Sequence, residues 1–423
     1  MGWRKLRPAP ARRLTRHSLR MHTVDHCRER ERMTGNDIEP GCVVIHSGRS
    51  VSSSDMDRAR VAVCRGHVVA AKCAHQPRLV DAAGGWISPG LVDLHLHGSA
   101  GHDFADAEPD SWAAILRAHL AAGTTTALAT IASTSPAAAR AALATAHELA
   151  GGPEALNLAG VHLEGPCLAG EQRGAHDRNH LREPRELLEE LTPIPPALRM
   201  VTLAPELPGA QQVITYLVRQ GVVVAAGHSA ATSAQLDAAK SAGLSHLSHL
   251  WSGQSTLTRP AAHRVPGLLE ASLASDGLTA EIIADGHHLP RELLTIAHRC
   301  LGADRLCLVS DATAATGLPR GSQFRVGATT GVVHDGYATT LDGHSLCGST
   351  TTLAGCVAEM RKRTDTSVPD ILTMATATPA RVLGRYPQKG SHIPGAADGD
   401  AVVFTPDLEV AAVIIAGRLV GAS

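Results

Sequence analysis

Eight short, largely apolar segments recur through the middle of the chain, at residues 91–96, 127–132, 159–163, 200–203, 222–226, 245–247, 279–284 and 306–309. Ala- and Leu-rich stretches of helical character lie between many of them, for example 137–150 and 234–242. Strands alternating with helices favour a parallel sheet. Eight repeats suit a closed (β/α)8 TIM-like barrel better than an open sheet, so the expected class is α/β with residues 90–385 forming the barrel. Short apolar segments also flank this middle, at 42–45 and 61–64 on one side and 400–403 and 410–415 on the other. They read as strands of a small β-sandwich domain built from both termini, residues 39–89 and 386–423. Residues 1–38 stand apart: they are rich in arginine from Arg4 to Arg32 and carry no periodic apolar face. They read as a disordered basic extension, with Met21 and Met33 as alternative starts, rather than a targeting or nucleic-acid arm.

Composition narrows the function classes. Of the 423 residues 44% are hydrophobic, enough for a large core, while aromatics are 2%. That scarcity disfavours stacking platforms for single-stranded nucleic acid and carbohydrate-stacking lectin surfaces. A net charge of -1 gives no general attraction to nucleic acid or membranes. No apolar run approaches the roughly 18 uncharged residues of a membrane span. Nine scattered cysteines without a CxxC pair fit reduced thiols in a cytoplasm. Redox chemistry is disfavoured, since no glycine-rich dinucleotide fingerprint follows a strand.

Chemistry-bearing side chains gather where the expected strands end. In Val92-Asp93-Leu94-His95-Leu96-His97-Gly98 apolar residues alternate with polar ones, so His95 and His97 project to one side of a strand. Glu164 follows 160–163 and precedes the Gly165-Pro166 turn; His228 follows 222–227; His249 lies just after 246–248; Asp311 follows 306–310. A buried histidine or a strand-end cap would explain any one of these. Four imidazoles and two carboxylates at equivalent strand ends instead suit Zn²⁺ or another divalent ion, and active-site groups of such barrels sit at that end. Such an ion acidifies bound water and polarises a carbonyl, and a rim aspartate can move the proton, so amide hydrolysis is the natural reaction class.

Several motifs together resemble one family. Pro89-Gly90-Leu91-Val92-Asp93-Leu94-His95-Leu96-His97-Gly98 is similar to the metal-dependent amidohydrolase superfamily. His162-Leu163-Glu164-Gly165-Pro166, Arg173-Gly174-Ala175-His176, Leu203-Ala204-Pro205-Glu206 and Ala226-Gly227-His228-Ser229 are more specific, as are Ile283-Ala284-Asp285-Gly286-His287-His288 and Val309-Ser310-Asp311-Ala312-Thr313. These resemble the N-acetylglucosamine-6-phosphate deacetylase family over residues 41–421. The resemblance implies Glu164, His228 and His249 as ligands of the main metal, with His95 and His97 retained for a second. It implies Asp311 as general acid/base, and His176 and His288 as substrate-binding histidines that also polarise the carbonyl. Arg264 matches an arginine that binds the 6-phosphate, in some members from the partner subunit. Zn²⁺ is the implied ion, one or two per subunit, with Fe²⁺, Mn²⁺ or Co²⁺ as alternatives. The implied partners are a small amino-sugar phosphate and a second copy in a cytoplasmic homodimer, with neither nucleic acid nor membrane.

The chain departs from the family at one turn, reading Ser252-Gly253-Gln254 where members have an Asn-Ala-Met-like turn. Ser252 and Gly253 are expected to offer backbone N–H groups to phosphate, but the departure leaves both the need for a 6-phosphate and the identity of the sugar open. His162 and His246 read as packed barrel histidines, and Gly348-Ser349-Thr350-Thr351-Thr352 as the N-cap of the last barrel helix. Two other readings are an amidohydrolase acting on a different N-acyl sugar or N-acyl amino acid, and a non-catalytic barrel. A D-aminoacylase or dihydroorotase fits less well, because Leu203-Ala204-Pro205 carries no bridging lysine.

Overall fold

The eight apolar segments become eight parallel strands: β1 Leu91–Leu96, β2 Thr124–Ala132, β3 Leu158–Glu164, β4 Leu198–Leu203, β5 Val223–Ala226, β6 His246–Leu247, β7 Thr279–Ile283 and β8 Leu306–Val309. They pair in sequence order in a computed structural model that describes residues 42–50, 59–70 and 77–422. The basic stretch 1–38 lies outside the described residues. The barrel closes just past β8, where Asp311 N–H donates to the His95 carbonyl (2.9 Å) and His97 N–H to that of Ala312 (2.8 Å). Burial on both faces explains why β1 and β2 are buried along their whole length. Apolar side chains such as Val161, Val201 and Val224 pack in one cluster with Leu143, Ile214 and Leu236 of the surrounding helices. Polar residues hydrogen-bond across the barrel interior instead. Thr130 Oγ1 lies 3.3 Å from His162 Nδ1, His162 Nε2 lies 2.8 Å from Thr202 Oγ1, and Thr202 lies 2.6 Å from Ser248 Oγ.

Strands from both chain ends build a second, eight-stranded sheet. Trp86–Pro89 runs antiparallel to Ala401–Phe404, with Val402 opposite Ser88. Their alternation divides two cores: Ile87, Ala401 and Val403 pack in the sheet's own cluster, while Trp86, Val402 and Phe404 join the barrel core. Cys42 and Cys64 form a disulfide, because pairing Val43 with Val63 sets them on adjacent strands. The expectation that every thiol is free is therefore corrected here; Cys167, Cys307, Cys347 and Cys356 are free and buried.

A four-stranded antiparallel sheet, Gln323–Val326, Thr329–Val333, Tyr337–Thr340 and Leu346–Ser349, is inserted after β8. The sequence reading did not anticipate it. Gly348 and Ser349 end its last strand rather than capping a helix. The cap of helix Leu353–Arg363 is Thr352, whose side chain accepts the Gly355 N–H. Among the described residues no helix is long and apolar enough to cross a membrane.

Candidate active site

Glu164 ends β3 with its carboxylate 3% exposed, and five imidazoles converge on it. Its oxygens lie 2.8 Å from His249 Nε2, 3.0 Å from His228 Nε2, 3.2 Å from His176 Nε2, and 3.4 Å from both His95 Nε2 and His97 Nε2. Asp311 faces the same cluster, its Oδ1 3.3 Å from His97 Nε2 and 3.7 Å from His95 Nε2. Two of these groups stand on unusual backbone: His228 at φ 47° and Asp311 at φ 49°. A left-handed conformation is costly for residues with a Cβ and tends to occur where surrounding structure forces a functional group into place.

The outer nitrogens of the rings decide what the inner ones present. His228 Nδ1 is 2.8 Å from the Gln172 carbonyl, which can only accept, so Nδ1 carries the proton. A neutral His228 therefore aims an Nε2 lone pair at a carboxylate oxygen. His95 is arranged alike: Nδ1 is 2.9 Å from Glu281 Oε2, and the buried Nε2 makes no hydrogen bond. Lone pairs facing carboxylates are mutually repulsive unless a cation lies between them. A proton or a divalent ion meets that need, and the N/O donor set fits the ion. His95, His97 and Asp311 are spaced so that they could hold one such ion, as are Glu164, His95 and His249; the spacing of Glu164, His176 and His228 would serve only with the His176 proton off Nε2.

Charge follows from this geometry. Burial opposes protonation of His97, but Asp311 and Glu164 outweigh it and raise the imidazole to about 9. Burial likewise works against ionisation of Asp311, yet its bond to His97 and the charge of His95 hold it down to about 2. His176 is the opposite case. Burial pulls it down to about 4, so it is neutral at pH 7. Ser133 N–H donates to its Nδ1 (3.2 Å), which places the ring proton on Nε2, toward the cluster.

A cavity of about 280 Å³ opens over these groups. His288 lines it, held by Asp285 (Nδ1 to Oδ2, 2.8 Å) and raised above the usual imidazole range by that carboxylate despite burial. Ser252, Gly253 and Trp251 form one wall, and Val326, Leu346, Cys347 and Gly348 of the inserted sheet another. The Ser252 N–H already donates to the His249 carbonyl (3.0 Å), so that amide is not free for a phosphate. Gly253 has a packing reason: a Cβ there would lie 2.4 Å from His228 Nδ1 and 2.6 Å from the Gln172 carbonyl. Arg264 sits on an exposed loop and does not line this cavity. His162 and His246 stay outside the ligand groups, bonded instead to Thr130, Thr202, Thr279 and Glu281.

Two carboxylates escaped the sequence reading. Glu281 lies inside β7 with no exposure and touches His95 and His246; Asp285 orients His288. The signal for Glu281 was present, since an acid in the middle of an apolar strand requires a buried partner.

The Amidohydrolase family matches residues 86–420. N-acetylglucosamine-6-phosphate deacetylase of Vibrio furnissii is 36% identical over 79% of this chain and 82% of its own. N-acetylgalactosamine-6-phosphate deacetylase of Escherichia coli O157:H7 is 34% identical over 79% of this chain and 87% of its own. A solved variant of N-acetyl-D-glucosamine-6-phosphate deacetylase from Mycobacterium smegmatis, in complex with N-acetyl-D-glucosamine-6-phosphate, superimposes with a TM-score of 0.81 at 30% identity. That match covers 90% of this chain and 99% of the other.

Proposed function

The chain belongs to the amidohydrolase family, and from that premise we propose that it hydrolyses the acetamide of N-acetylglucosamine 6-phosphate to glucosamine 6-phosphate and acetate. The observation that carries the reading is the Glu164 carboxylate ringed by imidazoles, with Asp311 across from it in a sugar-sized cavity.

Glu164, His228 and His249 would hold a divalent ion, Zn²⁺ by their donor types, with His95, His97 and Asp311 bordering a second position; Fe²⁺, Mn²⁺ and Co²⁺ suit the same ligands. When bound, such an ion acidifies water toward a pKa of about 7 and polarises a carbonyl. Asp311 takes the proton of the attacking water as the oxygen–carbon bond forms. Neutral His176 donates its Nε2–H to the acetamide oxygen, where negative charge develops. Asp311 then gives its proton to the sugar nitrogen as the carbon–nitrogen bond breaks. His288, fixed by Asp285, orients the sugar.

Arg264 is exposed and outside its own subunit's cavity, which supports a homodimer in which it reaches the 6-phosphate bound by the other copy. A guanidinium suits that task through paired hydrogen bonds. We read the enzyme as cytoplasmic, since a sugar phosphate does not cross a bilayer unaided; the Cys42–Cys64 disulfide is the observation that points the other way. A second reading, the galactose epimer, is favoured by the 34% identical relative and by the altered Ser252-Gly253-Gln254 turn, whose first two residues line the cavity.

The test is acetate release from N-acetylglucosamine 6-phosphate, its galactose epimer and unphosphorylated N-acetylglucosamine, with Zn²⁺ present. Preference for the first is expected, with turnover falling about 100- to 10,000-fold in Asp311→Asn while the ion held by Glu164, His228 and His249 is retained. No release from any of the three would move the substrate elsewhere.

A further inference from the structure

Glu281 has no role in the steps above, yet it is among the most deeply enclosed charges in the molecule. It lies on β7 with no solvent exposure. Its Oε2 is 2.9 Å from His95 Nδ1 and accepts the backbone N–H of His249 at 3.3 Å. Its Oε1 is 3.3 Å from His246 Nε2, whose other ring nitrogen is 2.7 Å from Thr279 Oγ1. Burying a carboxylate this completely is costly unless its partners keep it charged.

We propose that Glu281 is a positioning residue that makes the His95/His97 side of the cluster a second cation subsite. A carboxylate can only accept, so the bond to His95 fixes the proton on Nδ1 and leaves Nε2 as a lone pair. That Nε2 is buried, makes no hydrogen bond, and stands 3.4 Å from Glu164 and 3.7 Å from Asp311. A negative charge behind an imidazole also raises the basicity of its far nitrogen and fixes the ring plane. Apart from His95, whose Nε2 also stands 3.4 Å from Glu164, Glu281 reaches the other half of the cluster only through a backbone amide, which precedes the His249 ring. Its influence is therefore one-sided: strong on the ion bordered by His95, His97 and Asp311, weak on the ion held by Glu164, His228 and His249. A carboxylate kept merely to close β7 against β6 would have no such asymmetry.

The proposal rests on the metal-hydrolase reading in needing an ion at all, but not on the substrate, so it is tested without one. Zn²⁺ is titrated into metal-stripped full-length protein against a chromophoric chelator, for the natural chain and for Glu281→Gln. Glutamine keeps the size, accepts from His95 Nδ1 through its oxygen and can donate to His246, while removing the charge. The natural chain should take up two ions in two steps. In Glu281→Gln the weaker step should move by roughly 10- to 100-fold, with the tighter step unchanged. His95→Ala should abolish the same step, and adding Glu281→Gln to it should change nothing further. A single step in the natural chain overturns the proposal, as does an equal shift of both steps in Glu281→Gln or no shift at all. Failure of the deacetylase reading would instead show as two-ion binding without acetate release.

Discussion

His97 is held in two ways that pull against each other. Its Nε2 belongs to a ligand group, yet without an ion Asp311 and Glu164 raise it to about 9, so it is protonated at pH 7. An imidazole must be neutral to bind a metal, so an ion entering below about pH 9 expels that proton. For the metal-free fold the sign is fixed by the raised value. The contribution is fully present below the ordinary 6.5 and is lost as pH rises through about 9. His119, His162 and His392, pulled down to about 4, 3 and 4 by burial, act below that window. Chelator-treated protein is therefore expected to melt at a lower temperature at pH 9.5 than at pH 6.5. A flat melting profile across that range would mean that neither His97 nor His95, raised likewise by Glu164 and Glu281 against its burial, is charged in the empty site. What the sequence could disclose here was position. Strand-end placement singles out Glu164, His228, His249 and Asp311 without knowledge of their contacts. Their tautomers, set by Gln172 and Glu281 from distant segments, were not legible, because no spacing in the chain encodes those meetings.

At the scale of elements, the eight barrel strands were readable because burial on both faces makes each an apolar run. The inserted sheet was not. Its strands are short and partly exposed, with Gln323 and Arg325 alternating with Phe324 and Val326, and Gly331 amid Thr329–Val333. Ser349, which ends the sheet, bonds to Ser310, Asp311 and Thr313, and two further bonds fasten the turn between its first two strands. Asp103, 3% exposed, accepts the Gly327 N–H at Oδ2 (2.9 Å) and the Ala105 N–H at Oδ1 (2.7 Å), and Thr329 Oγ1 donates to the Ala175 carbonyl (2.6 Å). The turn so fixed carries Val326 into the cavity wall, beside the loop that bears His176. Asp103→Ala strands the buried Gly327 amide and the half-buried Ala105 amide, at a cost of about 1–3 kcal/mol, most of it local. Hydrogen exchange is expected to quicken at residues 323–333 and KM to rise, with exchange in β3 and β4 unchanged. Uniformly faster exchange would deny the sheet a separate fastening.

The expectation of a barrel with a separate terminal domain has a different physical content once the cores are traced. Trp86, Val402 and Phe404 belong to the barrel's cluster, while Ile87, Ala401 and Val403, their immediate neighbours, belong to the outer sheet's. Two strands thus serve both cores at once, and neither core can melt without uncovering the other. Calorimetry of the metal-free chain is expected to show one transition; two resolved transitions would mean the cores are independent. Closure has a consequence in time as well as in space. His95 and His97 leave the ribosome more than two hundred residues before Asp311, and the backbone bonds between these segments are what shut the barrel. During synthesis the early histidines therefore wait without their partner, and the His95, His97 and Asp311 group is complete only after the last strand has docked. Filling of that second position would in consequence be a late event in the protein's life, governed by what the cell supplies to a finished fold rather than to a growing chain.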